Sequence, residues 1–217
     1  PVLHGPKGED GTIQGLFEVL QIPYVSSDVM SSALGMDKAF SKKLFEYAGL
    51  PILRYQVYSK NQFAAEKENT VKNIEEELGY PCFVKPCNLG SSVGISKAHN
   101  RSELYEAIKT AFLYDNRIII EEFVNAREIE LSILGNETPE VSVPGEIVYA
   151  KEFYDYEAKY FDNKGTKLII PAPIPEPVVE RIQEVAIKAY KTLNCSIFAR
   201  ADFFYDEVND KIYINEL

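Results

Sequence analysis

The stretch VKPCNLGSSVGISK (84–97) constrains this chain more than any other. A short apolar run, PCFVKP (81–86), carries Lys85 near its end, and a second, VGISKA (93–98), follows the glycine- and serine-rich loop. Two such runs around a short flexible loop read as antiparallel strand partners. The glycines let backbone N–H groups turn toward a ligand, and the serine hydroxyls add donors. A lysine at the root supplies a compact positive charge. Together these make a lid for a polyphosphate. The G-x-x-x-x-G-K-[ST] pattern that opens a helix is absent, so this loop would cover phosphates from above. An ordinary hairpin loop of small polar residues is the competing reading.

The rest of the pattern alternates helices with short strands. Apolar spacing predicts helices over 12–20 with Thr12 as N-cap, 37–48, 70–80, 100–115 and 176–193. Gly49 and Gly79 stop the second and third, and Pro177 and Asn194 punctuate the last. Strands are expected at 51–59, at 117–124 and 127–135 around a turn at Asn125–Ala126, and over the extended 139–149. SIFARADFFY and KIYINEL form a hairpin over DEVND, and the polar, aromatic 150–167 reads as a long functional loop. This mixture indicates α+β (mixed α/β) architecture. Boundaries fall near 49–51 and 115–117, giving segments 1–50, 51–115 and 116–217. The chain opens on PVLHG without a methionine and stops at YINEL, apparently inside a strand, so a fragment is expected.

Charge and cysteine usage remove several function classes. The 217 residues carry a net charge of −10, from 23 basic and 33 acidic side chains. That disfavours nucleic acid and anionic membrane surfaces as partners, though a few lysines in a cleft can still dominate locally. Cys82, Cys87 and Cys195 are odd in number and lack CxxC or Cys/His spacing, so neither a disulfide scaffold nor a structural zinc is expected. A reduced, cytoplasmic setting fits. No signal peptide or bilayer-length apolar run is present in these residues.

The distal hairpin adds a second chemical element. In FARADFF, Arg200 and Asp202 share one strand face. Ile212, Ile214 and Glu216 are expected to share a face of the next strand. Folding near Val208–Asn209 brings Glu216 within about one register step of Asp202. Two carboxylates beside an arginine repel unless a cation sits between them, and Mg²⁺ takes carboxylates plus substrate phosphates. A solvated sheet face is the competing reading, which the flanking Phe198, Phe203 and Phe204 oppose. A third element is EEFVNAREIE (121–130): backbone groups around Glu122 to Val124 could meet an adenine, and a carboxylate such as Glu128 a ribose. Solvated acidic strands are the plain alternative.

In this order the three elements resemble the ATP-grasp fold, two subdomains with the nucleotide between them. The finer motifs HGPKGEDGTIQG (4–15), SALGMDK (32–38), VKPCNLGSSVGISK (84–97), REIE (127–130), PGEI (144–147), FYDYEAKY (153–160) and ARADFF (199–204) resemble the D-alanine–D-alanine ligase family over nearly the whole chain. The resemblance implies ATP-dependent joining of two D-alanines through an acyl phosphate for peptidoglycan precursors, with Mg²⁺, or Mn²⁺ in its place. It matches Lys38 and Lys85 to lysines on the ATP phosphates, and Ser91 and Ser92 to the closing loop. Ser91 corresponds to a serine linked to an active-site tyrosine. Glu121, Glu122, Phe123 and Val124 match the adenine edge, and Glu128 the ribose carboxylate. Lys159 and Tyr160 lie on a mobile loop that closes the site, Tyr160 favouring D-alanine as second substrate. Arg200 matches the arginine on the reacting carboxylate and tetrahedral species. Asp202 and Glu216 match two metal ligands, and His4 a histidine near the second amino acid.

The resemblance also implies a homodimer at full length and a cytoplasmic enzyme. Most of an N-terminal domain is expected to be missing, as are an asparagine ligand and a glycine turn beyond Glu216, so these residues alone are expected to show little turnover. A D-alanyl-D-lactate ligase, another carboxylate–amine ligase, or a nucleotide-binding module without turnover are the alternatives. His99, Cys87, Tyr154, Tyr156 and the acidic run 75–77 carry structural readings only.

Overall fold

The structure, a computed structural model, describes residues 3–90, 92–149 and 166–217. Three helices come first. Helix α1 (Thr12–Leu20) begins one residue after Gly11, whose φ of 87° serves as the N-cap, so Thr12 is the first helical residue rather than the cap. Helix α2 (Val29–Met36) is capped by Asp28, which accepts from the Ser31 N–H. It escapes a periodicity reading because VMSSALGM mixes serines and a glycine into its apolar face. Helix α3 (Lys38–Tyr47) starts two residues later, capped by Asp37, which accepts from the Ala39 and Phe40 N–H groups.

The first sheet holds β1 (Tyr55–Ser59), β2 (Cys82–Pro86), β3 (Ser96–Ala98) and β4 (Arg117–Glu122) in the order β1-β4-β2-β3. Every pairing in it is antiparallel, including the expected β2–β3 pair. Strand β1 is shorter than expected because residues 51–54 only approach the sheet. A short helix α4 (Lys60–Ala65), with a Ser59/Gln62 capping box, fills the gap before α5 (Lys67–Glu77). Strand alternation then assigns the faces. Val84, Ile118 and Ile120 pack with α5 and with α6 (Arg101–Tyr114) in one core. On the other face Ile119 meets Ala39 of α3 and Cys87. An isoleucine run buried on both sides belongs in a sheet centre, and β4 sits between β1 and β2. The first sheet therefore extends past the 115–117 boundary read from the sequence.

The second sheet holds β5 (Arg127–Leu134), β6 (Glu140–Val141), β7 (Gly145–Tyr149), β8 (Thr166–Ile169), β9 (Phe198–Asp206) and β10 (Lys211–Glu216). Its order is β10-β9-β5-β7-β8, with β6 on β5. Strands β4 and β5, expected on either side of a turn at 125–126, lie in different sheets. Residues 123–126 carry the chain from one sheet to the other. Helix α7 (Glu176–Thr192) covers one face of the second sheet. There Ile182, Ala186 and Tyr190 pack on Ile129, Leu131, Phe203 and Ile214, with Phe45 of α3 in the same core. The opposite face carries Glu128, Glu130, Arg200 and Asp202 toward the first sheet. Among the described residues, no helix is long and apolar enough to cross a membrane.

Candidate active site

The two sheets and the start of α3 enclose a cleft of about 580 Å³. Its first wall follows from the period of β2. Val84 enters the helix-side core, so Phe83 and Lys85 face the cleft. Phe83 lies opposite Glu121 in the register, and the Lys85 ammonium donates to Glu121 Oε2. The other oxygen, Oε1, is 2.9 Å from the Nζ of Lys42, one turn of α3 beyond Lys38. Burial opposes ionisation of Glu121, but the Lys42 and Lys85 charges outweigh it and hold the carboxyl at about 2. Burial pulls against Lys85 as well, and Glu121 more than compensates, raising it.

Lys38 is the first residue of α3 and joins three parts of the site. Its Nζ donates to the Leu89 carbonyl oxygen (2.7 Å) and lies 3.2 Å from Glu216 Oε2. Its backbone N–H donates to the Cys87 carbonyl oxygen at the loop root. Asp37 is also paired with Arg117 at the start of β4, so the helix end and the loop are fixed to one strand. Within the loop, Ser92 and Gly90 line the cleft. Gly94 has φ +73°, and a Cβ there would stand 2.7 Å from the Tyr114 ring and 2.9 Å from Pro86 Cγ, so only glycine fits this bend.

The second wall is built by register. Asp202 lies opposite Glu130 on β5 and Glu216 on β10. The expectation that Glu216 shares a face with Ile212 and Ile214 is corrected here. The β9–β10 register shifts between Ile214 and Glu216, so Ile214 pairs with core residue Phe203 while Glu216 pairs with Asp202. The bulge turns the last carboxylate into the cleft. Arg200 donates from Nε and Nη2 to both oxygens of Asp202, at 2.7 and 2.6 Å, and reaches Glu130 at 3.5 Å. Burial raises the Asp202 carboxyl to about 6, while the Lys38 charge lowers Glu216 to about 2. Among the described residues, no three His, Cys, Asp or Glu side chains converge as a ready-made metal centre. Asp202 and Glu216 are nevertheless two adjacent hard oxygen donors in a lysine-lined cleft, the donor set a Mg²⁺ completed by phosphate and water uses.

The remaining candidates divide. Glu122, Phe123, Val124 and Glu128 line the cleft where the chain crosses between sheets. Arg54 holds the Glu122 carboxylate through its backbone N–H (2.8 Å) and its Nε (2.7 Å), leaving the crossing segment anchored. The Lys97 ammonium stands 4.0 Å over the Phe123 ring. Glu121 also borders the cleft, with its carboxylate committed to the two lysines. His4 is exposed and 3.3 Å from Glu9, whose carboxylate, with Gly5, lies against Gly90. Ser91, Lys159 and Tyr160 lie outside the described residues, as does most of the expected 150–167 loop. The sequence reading passed over Lys42, Glu130 and Lys97. Of these, Glu130 was detectable by its shared parity with Glu128.

Comparison with known proteins places this geometry. A family model described as D-ala D-ala ligase C-terminus matches residues 44–217, and one described as D-ala D-ala ligase N-terminus matches 1–27. A D-alanine–D-alanine ligase of Thermoanaerobacter sp. (strain X514) is 55% identical over the whole chain, which covers 60% of that protein. One from Acetivibrio thermocellus is 52% identical, with 57% covered. Among solved structures, the VanG D-Ala:D-Ser ligase of Enterococcus faecalis matches with a TM-score of 0.88 at 41% identity, over all of this chain and 61% of that one. The D-alanine–D-alanine ligase of Coxiella burnetii matches with a TM-score of 0.82 at 35% identity, over all of this chain and 57% of its own. The chain thus spans about three fifths of the length of the relatives it matches. With its α+β fold matching ATP-grasp ligase structures and a family model covering most of its length, the chain belongs to the D-alanine–D-alanine ligase family.

Proposed function

We propose that the protein containing this chain joins two D-alanines at the expense of ATP, releasing ADP and phosphate. The observation that carries the reading is the cleft in which Lys38 and Lys85 face Arg200, Asp202 and Glu216 across two sheets. A carboxylate is a poor acyl donor. Its oxygen attacks the γ-phosphorus, ADP leaves, and the resulting acyl phosphate carries a good leaving group. Phosphoryl transfer of this kind depends on positioning and charge neutralisation. Lys38 and Lys85 supply cationic donors for the phosphates, and the 87–95 loop covers them. Asp202 and Glu216 would hold Mg²⁺, which neutralises phosphate charge when bound.

The amine of the second amino acid, having lost its proton, then attacks the acyl carbonyl carbon. Arg200, oriented by Asp202 and Glu130, faces the oxyanion that develops. Collapse of the tetrahedral species expels inorganic phosphate and leaves the peptide bond. On this reading Glu122 to Val124 receive the adenine and Glu128 the ribose. Ser91, Lys159 and Tyr160 complete the closed site, excluding water from the acyl phosphate. His4 approaches the second amino acid. A cytoplasmic homodimer acting in peptidoglycan precursor synthesis is the setting proposed for the whole protein, and the 217 residues by themselves are expected to bind nucleotide with little turnover.

The test is ADP release with Mg²⁺-ATP, with and without D-alanine, and product identification by mass. It is run on this chain and on a chimera in which the Thermoanaerobacter relative supplies the remaining length. D-alanine-dependent ADP with D-alanyl-D-alanine is the expected result for the chimera. The likeness to the Enterococcus faecalis D-Ala:D-Ser ligase puts D-serine, with D-lactate, among the acceptors to try. Product with only one of those would move the specificity, and no stimulation by any acceptor would overturn the reading.

A further inference from the structure

Lys42 is the buried charge that the proposed chemistry leaves unused. Its side chain is 1% exposed, its ammonium meets Glu121 Oε1 at 2.9 Å, and it does not line the cleft. We propose that Lys42 is a positioning residue for nucleotide binding, neutralising Glu121 through its second oxygen so that Lys85 keeps its charge for the phosphates. This rests on the reading of the cleft as an ATP site.

The argument is one of charge counting. Lys38 and Lys85 each have a carboxylate against them, Glu216 and Glu121, and Arg200 has two, Asp202 and Glu130. Cations matched or outnumbered in this way would give a polyphosphate little net attraction. Lys42 is the additional cation at Glu121: two ammoniums share one carboxylate, so the Lys42–Glu121–Lys85 group keeps one positive charge, with burial lowering Lys42 from its usual value and Glu121 opposing that. Its geometry matches that task, because Glu121 offers one oxygen to each lysine and is thereby held in one orientation. Stability alone does not account for a lysine here. A buried ion pair replaced by well-packed apolar residues is often neutral or better for the fold, and the neighbouring Ala39 and Phe45 on α3 are fully buried apolar residues.

The experiment compares ATP and adenosine binding by this chain, unaltered and as Lys42→Met, Lys42→Gln and Lys42→Arg. Calorimetry reads ATP, and ligand-observed NMR reads adenosine at millimolar affinity. Lys42→Gln keeps an N–H for Glu121 while removing the charge, so it serves if the Met variant folds poorly. Both neutral variants are expected to weaken ATP on the order of tenfold, as loss of a unit charge near a polyphosphate should. Adenosine affinity should stay within about twofold, and Lys42→Arg should retain ATP affinity within about threefold. Unchanged ATP affinity in the neutral variants would overturn the proposal, as would equal weakening of ATP and adenosine, which marks a merely structural role. If the unaltered chain binds neither ligand, the nucleotide reading itself fails.

Discussion

Glu121 is the residue on which the cleft floor depends, because it separates two buried ammoniums. Removing it as Glu121→Gln leaves Lys42 and Lys85 facing one another without a counter-charge. Such a loss costs about 3–5 kcal/mol, to be read as a lowered urea midpoint at pH 7. The acid limb carries the same signature. Folding lowers this carboxyl from 4.5 to about 2, so its contribution is full above the unfolded value and disappears as pH falls through the folded one. The unaltered chain should therefore lose up to roughly 3 kcal/mol more than Glu121→Gln between those limits; parallel acid limbs would refute the linkage. That Lys85, Arg200 and Asp202 are site candidates was legible in the sequence from their types and spacing, and the fold brings them to one cleft. Lys42 was not. A lysine in SKKLFEY looks like helix solvation until the tertiary fold buries it against Glu121 of β4, seven elements further along the chain.

At the scale of the element, α3 delivers Lys38 because Asp37 stops the chain from entering the helix any earlier. Its carboxylate accepts two first-turn N–H groups and pairs with Arg117. Asp37→Ala should cost about 1–2 kcal/mol from the cap alone and loosen ATP binding by several-fold as Lys38 loses its fixed origin. Asp37→Asn, which keeps the cap and drops the charge pair, should recover most of the stability in the same denaturation series. Equal losses in both variants would show the Arg117 pair, not the cap, to be the fastener. Elements were readable where periodicity was strong, as in α6, α7 and the β9–β10 hairpin. The failures have local causes. Helix α2 lacks a clean apolar stripe, and α4 is too short for one. The turn read at Asn125–Ala126 gives no sign that it links two sheets, a choice made by Ile118–Ile120 needing cover on both faces. The bulge before Glu216 has no marker in YINEL, since register is set by the partner strand.

On the scale of the whole molecule, two sheets with separate cores are joined chiefly by α3, which packs Ala39 on the first and Phe45 on the second. Among the described residues the buried apolar clusters of the two sheets are separate, and Lys38 at the start of α3 meets Glu216 of the second sheet through charge. A nucleotide bound there would take Lys85 and Phe123 from one sheet and Glu128, Asp202 and Glu216 from the other, adding a bridge that the apo chain lacks. Any ligand bound only by the folded state stabilises by mass action, about 2.7 kcal/mol at a hundred times its Kd. For a chain of this size that is a rise of roughly 5–10 °C in Tm. The identity of the bridge follows from which variants lose the shift at one fixed ATP concentration. Lys85→Met should sharply reduce it with or without Mg²⁺, since the phosphates then keep only Lys38 of their two direct cations. Glu216→Gln should remove only the increment that Mg²⁺ adds, leaving the metal-free shift in place. A full shift in Lys85→Met would mean that the phosphates bind elsewhere in the cleft, and an intact Mg²⁺ increment in Glu216→Gln would take this carboxylate out of the metal site.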